Sequence, residues 1–130
     1  AAGNKERLSD SKVVINGIVG NKVRGHKRAL VYDDEIATGG SILELSRLLI
    51  EEGVEEIQVV CTHGVFSRGG LERLAAVPEI SRIITTDTVY LAPGDTHPKL
   101  TVLSVAPVFA DAIRHNINRE SLSDLFVFGE

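Results

Sequence analysis

Two adjacent acids, Asp33 and Asp34, close an apolar run Ala29-Leu30-Val31-Tyr32, and the chain then passes through Thr38-Gly39-Gly40-Ser41 into an amphipathic stretch. Glycines let backbone N–H groups approach an anion closely, and the hydroxyls of Thr38 and Ser41 can each donate to its oxygens. A helix beginning here would add the positive end of its dipole. Carboxylates at the carboxyl end of a parallel strand lie where open sheets bind ligands, and they can accept hydrogen bonds from vicinal hydroxyls or hold a divalent cation. One end of such a site takes a phosphate and the other takes a sugar. Ser41 with Glu44 three residues on also fits an ordinary capping box. The acids separate the two readings, because a carboxylate buried unpaired is costly and neither acid serves packing.

Other residues carry weaker signals. Lys5 and Arg7 are two apart, so in an extended segment both point the same way and could cover one anionic substrate; the plain alternative is a solvated tail. His63 follows a second apolar run at the same edge as the acids, and its residue type fits a structural hydrogen bond as well as a ligand contact. Cys61, set in Ile57-Gln58-Val59-Val60-Cys61, reads as a small buried hydrophobe, and as the single cysteine it excludes an internal disulfide. His26, His97 and His115 have no partner spacing that suggests a metal site.

Strand-length apolar runs alternate with helical periodicities, which predicts βαβ units, a parallel sheet and an α/β fold. Val13 to Val19 reads as an extended arm, and Gly25 breaks the chain before a strand over Ala29 to Tyr32 that looks buried. A helix from Ser41 carries Ile42, Leu45, Leu48 and Leu49 on one face and stops at Gly53. Strands follow at Ile57 to Cys61, Arg82 to Thr85 and Leu100 to Val105, with a helix around Leu71 to Ala75 and a Pro/Gly loop before the last strand. Pro107 suits a first helical position, and Phe109, Ala112, Ile113, Asn116 and Ile117 give the final helix an inner stripe. The 130 residues make one domain, with residues 1–12 read as a mobile segment. A net charge of -4 without a basic cluster argues against nucleic acid as a partner, and the apolar runs are too short to span a membrane, so a cytoplasmic location is the default.

The acid pair with Thr38-Gly39-Gly40-Ser41 resembles the ribose-phosphate loop of the type I phosphoribosyltransferase fold, a parallel-sheet three-layer architecture. It is not a P-loop, since no Lys follows the second glycine. Lys5-Glu6-Arg7, Thr62-His63-Gly64-Val65-Phe66-Ser67, Thr86-Asp87-Thr88 and Ser121-Leu122-Ser123-Asp124-Leu125-Phe126, in that order, resemble the C-terminal half of the ribose-phosphate pyrophosphokinases.

That resemblance implies ribose 5-phosphate and ATP as substrates, Mg2+ as cofactor and a homo-oligomer. The ribose C1 hydroxyl would attack the β-phosphorus of ATP and release AMP. Asp33 and Asp34 would hold the ribose hydroxyls, directly or through metal, and Ala37, Thr38, Gly39, Gly40 and Ser41 would cradle the 5-phosphate. Lys5 and Arg7 would match the mobile catalytic loop and stabilise the transferred phosphates. The His63 loop and the Ser-rich ending would lie near subunit contacts and regulatory phosphate binding. A preceding domain would supply the remaining ATP and Mg2+ contacts. Two positions depart from the family pattern: Ala37, often Asp, and Glu35, usually apolar. They keep open a phosphoribosyltransferase, and a non-catalytic regulatory homologue.

Overall fold

The computed structural model describes residues 23 and 25–125, together with the backbone of residues 2–9 and 12–19. Strands β1 (Ala2–Ser9) and β2 (Lys12–Val19) form an antiparallel ribbon, and β2 runs alongside the first helix. Within residues 1–12, β1 pairs its backbone with β2 from Lys5↔Ile15 to Arg7↔Val13.

The main sheet has four parallel strands in sequential order: β3 (Arg28–Ile36), β4 (Glu56–Gly64), β5 (Ile80–Thr86) and β6 (Leu100–Leu103). Helix α1 (Gly40–Glu51) crosses from β3 to β4 and α2 (Gly70–Ala75) from β4 to β5. Right-handed crossovers that always step in one direction place their helices on one face. The core therefore lies under that face. Val31, Ile57, Val59, Cys61 and Ile83 from the strands meet Ile42, Leu49, Leu71 and Leu74 from the helices. This is the α/β parallel sheet that the alternation predicts.

Several boundaries move. The strand expected over Ala29 to Tyr32 runs on to Ile36, and it is an edge strand, so Val31 is buried while Leu30 and Tyr32 on the opposite face are 67% and 70% exposed. The helix after it does stop at Gly53, whose φ of 93° suits only glycine well. On α1 the buried positions are Ile42, Ser46 and Leu49, with Leu45 and Leu48 half-buried beside them.

The last helix, α3 (Ala106–Asn118), has proline in its first turn as expected, but its apolar stripe is not an inner one. Phe109, Ile113 and Ile117 are 60% exposed or more, and no α3 residue is buried. Periodicity reports that a helix has an apolar face, not what lies against that face. Here α3 follows the short edge strand β6 and leaves the sheet, touching mainly the 3-10 turn Ser123–Leu125. No helix among the described residues is long and apolar enough to cross a membrane.

Candidate functional site

The carboxyl ends of β3 and β4 meet at one edge, and the chain between β3 and α1 encloses a cavity of about 300 Å³. Its wall is a single unbroken run, residues 33–42, so the acids, Ala37, Thr38, Gly39, Gly40 and Ser41 all line one space. Asp33 is half-buried, and Asp34 and Glu35 are exposed. The Asp34 N–H donates to Asp33 Oδ1 at 3.0 Å, and the Glu35 N–H donates to Asp34 Oδ1 at 2.8 Å, so each carboxylate is oriented by the next amide. A hydrogen bond with the Asp33 side chain, then the Glu35 N–H and finally the charge of His63, hold the Asp34 carboxyl below the usual aspartate range. The Asp34 carboxylate therefore keeps its charge to lower pH than an ordinary aspartate does.

At the other end, Gly39 is buried and is the N-cap of α1, in the left-handed region at φ 76°. A cap in this conformation offers no side-chain oxygen, and none bonds the helix N-terminus. The first amides of an α-helix lack intrahelical acceptors, so they remain available to an anion. The capping box that Ser41 and Glu44 might have made does not form; Glu44 instead pairs with Arg47 at 2.8 Å. The exposed Ala37 puts a methyl group on the cavity wall where an acid could have stood.

Sequence reasoning missed what supports this loop. Arg73 of α2 donates to the Thr38 carbonyl across a separation of 35 residues, which no local pattern could signal. Gly70, opening α2, lies so near the loop that a Cβ there would meet the carbonyl oxygens of Ala37 and Thr38 at 3.1 Å. The Ile36 carbonyl accepts the N–H groups of Val65 and Phe66, at 3.0 and 3.1 Å, tying the loop after β4 to the end of β3.

His63 is exposed at the end of β4 and belongs to a threonine cluster. The hydroxyls of Thr86 and Thr88 donate to the Thr62 carbonyl at 2.7 and 2.9 Å. Thr88 Oγ1 also shares a hydrogen bond with His63 Nδ1, 2.8 Å away, which ties the ring to the cluster. Cys61 is 2% exposed against Thr85, and burial pushes its thiol upward, as suits an inert core residue. Of the other histidines, His115 lies against Glu120 and His97 accepts the Lys99 N–H. No group of three or more His, Cys, Asp or Glu among the described residues could hold a metal, so the acid pair offers at most two side chains to a cation. The side chains of Lys5 and Arg7 lie outside the described residues, and their relation to the cavity with them.

A second cavity, about 660 Å³ and mostly apolar, lies between β6 and the loop from Asp87 to His97. It is larger, but it gathers neither the uncapped amides at the start of α1 nor the acid pair.

The chain is 42% identical over 123 residues to the ribose-phosphate pyrophosphokinase of Rhodopirellula baltica, covering 95% of this chain and 38% of that protein. It is 44% identical over 126 residues to a Streptomyces coelicolor protein given the same name provisionally, covering 97% of this chain and 39% of the relative. Among solved structures, phosphoribosylpyrophosphate synthetase from Mycobacterium smegmatis superposes with a TM-score of 0.71 at 34% identity, over 83% of this chain and 34% of that one. The chain thus spans about two fifths of the length of these relatives. The model of the phosphoribosyl synthetase-associated domain matches residues 6–127, nearly the whole sequence, and the chain belongs to that family.

Proposed function

We propose that the protein carrying this chain is a ribose-phosphate diphosphokinase, which transfers pyrophosphate from ATP to C1 of ribose 5-phosphate, and that this chain is its ribose-phosphate-binding part. The observation that carries the reading is the single cavity of residues 33–42, with carboxylates at one end and uncapped helix amides at the other. Asp33 and Asp34 accept hydrogen bonds from the ribose hydroxyls. The N–H groups from Thr38 to Ser41, with two hydroxyls, hold the 5-phosphate and orient C1 outward. Two carboxylates fit Mg2+, which commonly binds through one or two acids and completes its shell with substrate phosphates and water. When bound, Mg2+ would offset charge on the phosphates. Lys5 and Arg7 would neutralise charge developing on the transferred group, which is most of what phosphoryl-type transfer asks of a protein. We place the enzyme in the cytoplasm, acting as a homo-oligomer.

Ala37 favours a second reading, a regulatory homologue that binds sugar phosphate without turnover, since a methyl on the cavity wall can neither accept a proton nor hold water. Incubating the full-length protein with ribose 5-phosphate, ATP and Mg2+ separates the two. Phosphoribosyl pyrophosphate and AMP in equal amounts support the synthetase; binding without product supports the homologue. Nucleotide formation from a base and phosphoribosyl pyrophosphate would instead indicate a phosphoribosyltransferase.

A further inference from the structure

The Thr38–Gly39 peptide decides whether the anion loop offers a donor or an acceptor to its ligand. No peptide bond here is cis, so the Thr38 carbonyl and the Gly39 N–H point in opposite directions. Turning this peptide over rotates mainly ψ of Thr38 and φ of Gly39, and glycine accepts either sign of φ. Local chain chemistry therefore does little to forbid a flip, which would aim a carbonyl oxygen where a phosphate must sit. The restraint comes from α2. Arg73 Nη2 donates to the Thr38 carbonyl oxygen, and the absent side chain at Gly70 is what lets α2 come so close. The Arg73 guanidinium is always charged, and a charge-assisted bond to a carbonyl is roughly twice as strong as a neutral one. With the carbonyl held toward α2, the Gly39 N–H points away from it, and no α2 residue lines the cavity.

We propose that Arg73 is a positioning residue of the phosphate site, locking the Thr38–Gly39 peptide with its carbonyl on α2 so that the Gly39 N–H faces the ligand. This rests on the ribose-phosphate reading of the loop. It assigns Arg73 no contact with the substrate; it acts through the peptide.

The test is calorimetric titration of ribose 5-phosphate into full-length wild type, Arg73→Met and Arg73→Lys, with melting temperatures and steady-state kinetics beside it. Arg73→Met keeps the length of the stem and loses the donor. It should weaken ribose 5-phosphate binding by about tenfold to a hundredfold, the range expected for a hydrogen bond from a charged group. Its KM for ribose 5-phosphate should rise more than its kcat falls, with KM for ATP little changed, and Arg73→Lys should recover part of the loss. Equal affinity in wild type and Arg73→Met overturns the proposal. So does a loss of affinity that only tracks a fall in melting temperature and that lysine does not relieve. If the methionine variant does not fold, wild-type hydrogen exchange decides: ribose 5-phosphate should slow exchange at the Gly39 amide, and an unchanged rate overturns the lock. A wild type that binds no ribose 5-phosphate would instead sink the reading of the site itself, a result visible before any substitution is made.

Discussion

Asp33 and Asp34 are neighbours in the last part of β3, both on the cavity wall, with different surroundings: the first is half-buried and the second exposed. Neither packs the core, so Asp33→Asn and Asp34→Asn in the full-length protein should cost turnover about a hundredfold or more while moving stability by under about 1 kcal/mol. Parallel loss of melting temperature and activity would mark them as structural. Lys5 and Arg7 should behave differently. Contacts that strengthen in the transition state raise kcat, so if Lys5 and Arg7 play the proposed part, Lys5→Ala and Arg7→Ala should reduce it by about two to four powers of ten with ribose 5-phosphate affinity little changed, measured by single-turnover kinetics and calorimetry. Wild-type rates in the double variant would return these residues to the role of a solvated tail. At this scale the acids, the hydroxyls and Gly39 were legible, because residue type and spacing alone restrict what they can do. Arg73 was not, because its meaning depends on a contact made through the fold.

Among the elements, the strand–loop–helix order from β3 to β5 could be read from alternation, and so could the stop at Gly53. The ends of the strands could not: β3 extends through its polar residues to Ile36 because parallel pairing with β4 continues to Ile36↔Gly64. Helix α3 gives the clearest limit. Its stripe was correct as a pattern, yet Phe109, Ile113 and Ile117 are exposed and outside the core formed by the described residues. What holds its start is Asp87, at the end of β5. The Ser104 hydroxyl first, and then the Val105 N–H at 2.8 Å, keep the Asp87 carboxyl below the usual aspartate range. A carboxylate whose folded value is depressed contributes stability that is present above its unfolded value and is lost as pH falls through the folded one. Asp87→Asn should therefore be less stable than wild type near neutrality, and the difference should vanish in acid below the ordinary aspartate range. Urea unfolding across pH reads this directly, and a difference that persisted at the acid end would rule out the carboxylate as its source.

For the molecule as a whole, the sequential strand order puts both crossover helices on one face, and among the described residues no strand-connecting helix lies on the other. All-parallel sheets normally have both faces covered. Leu30 and Tyr32 on that face, and the stripe of α3, form apolar surface left exposed among the described residues. Taken alone, the chain should bind the dye ANS and self-associate at micromolar concentration. Ile113→Glu should reduce both without lowering helix content by circular dichroism, and a monomeric chain that leaves the dye dark would contradict the exposure. Composition and periodicity do not reveal a one-sided core, because only strand order determines which face receives the helices.

The central claim is that residues 33–42 bind a sugar phosphate with its phosphate on the loop amides and its hydroxyls on the acids. A crystal structure of the full-length protein with ribose 5-phosphate tests it most directly. The account predicts phosphate density within hydrogen-bond distance of the N–H groups of Thr38 to Ser41 and the ribose hydroxyls at Asp33 and Asp34, directly or through a cation. Ribose 5-phosphate ordered elsewhere, with this cavity filled by water alone, would contradict it.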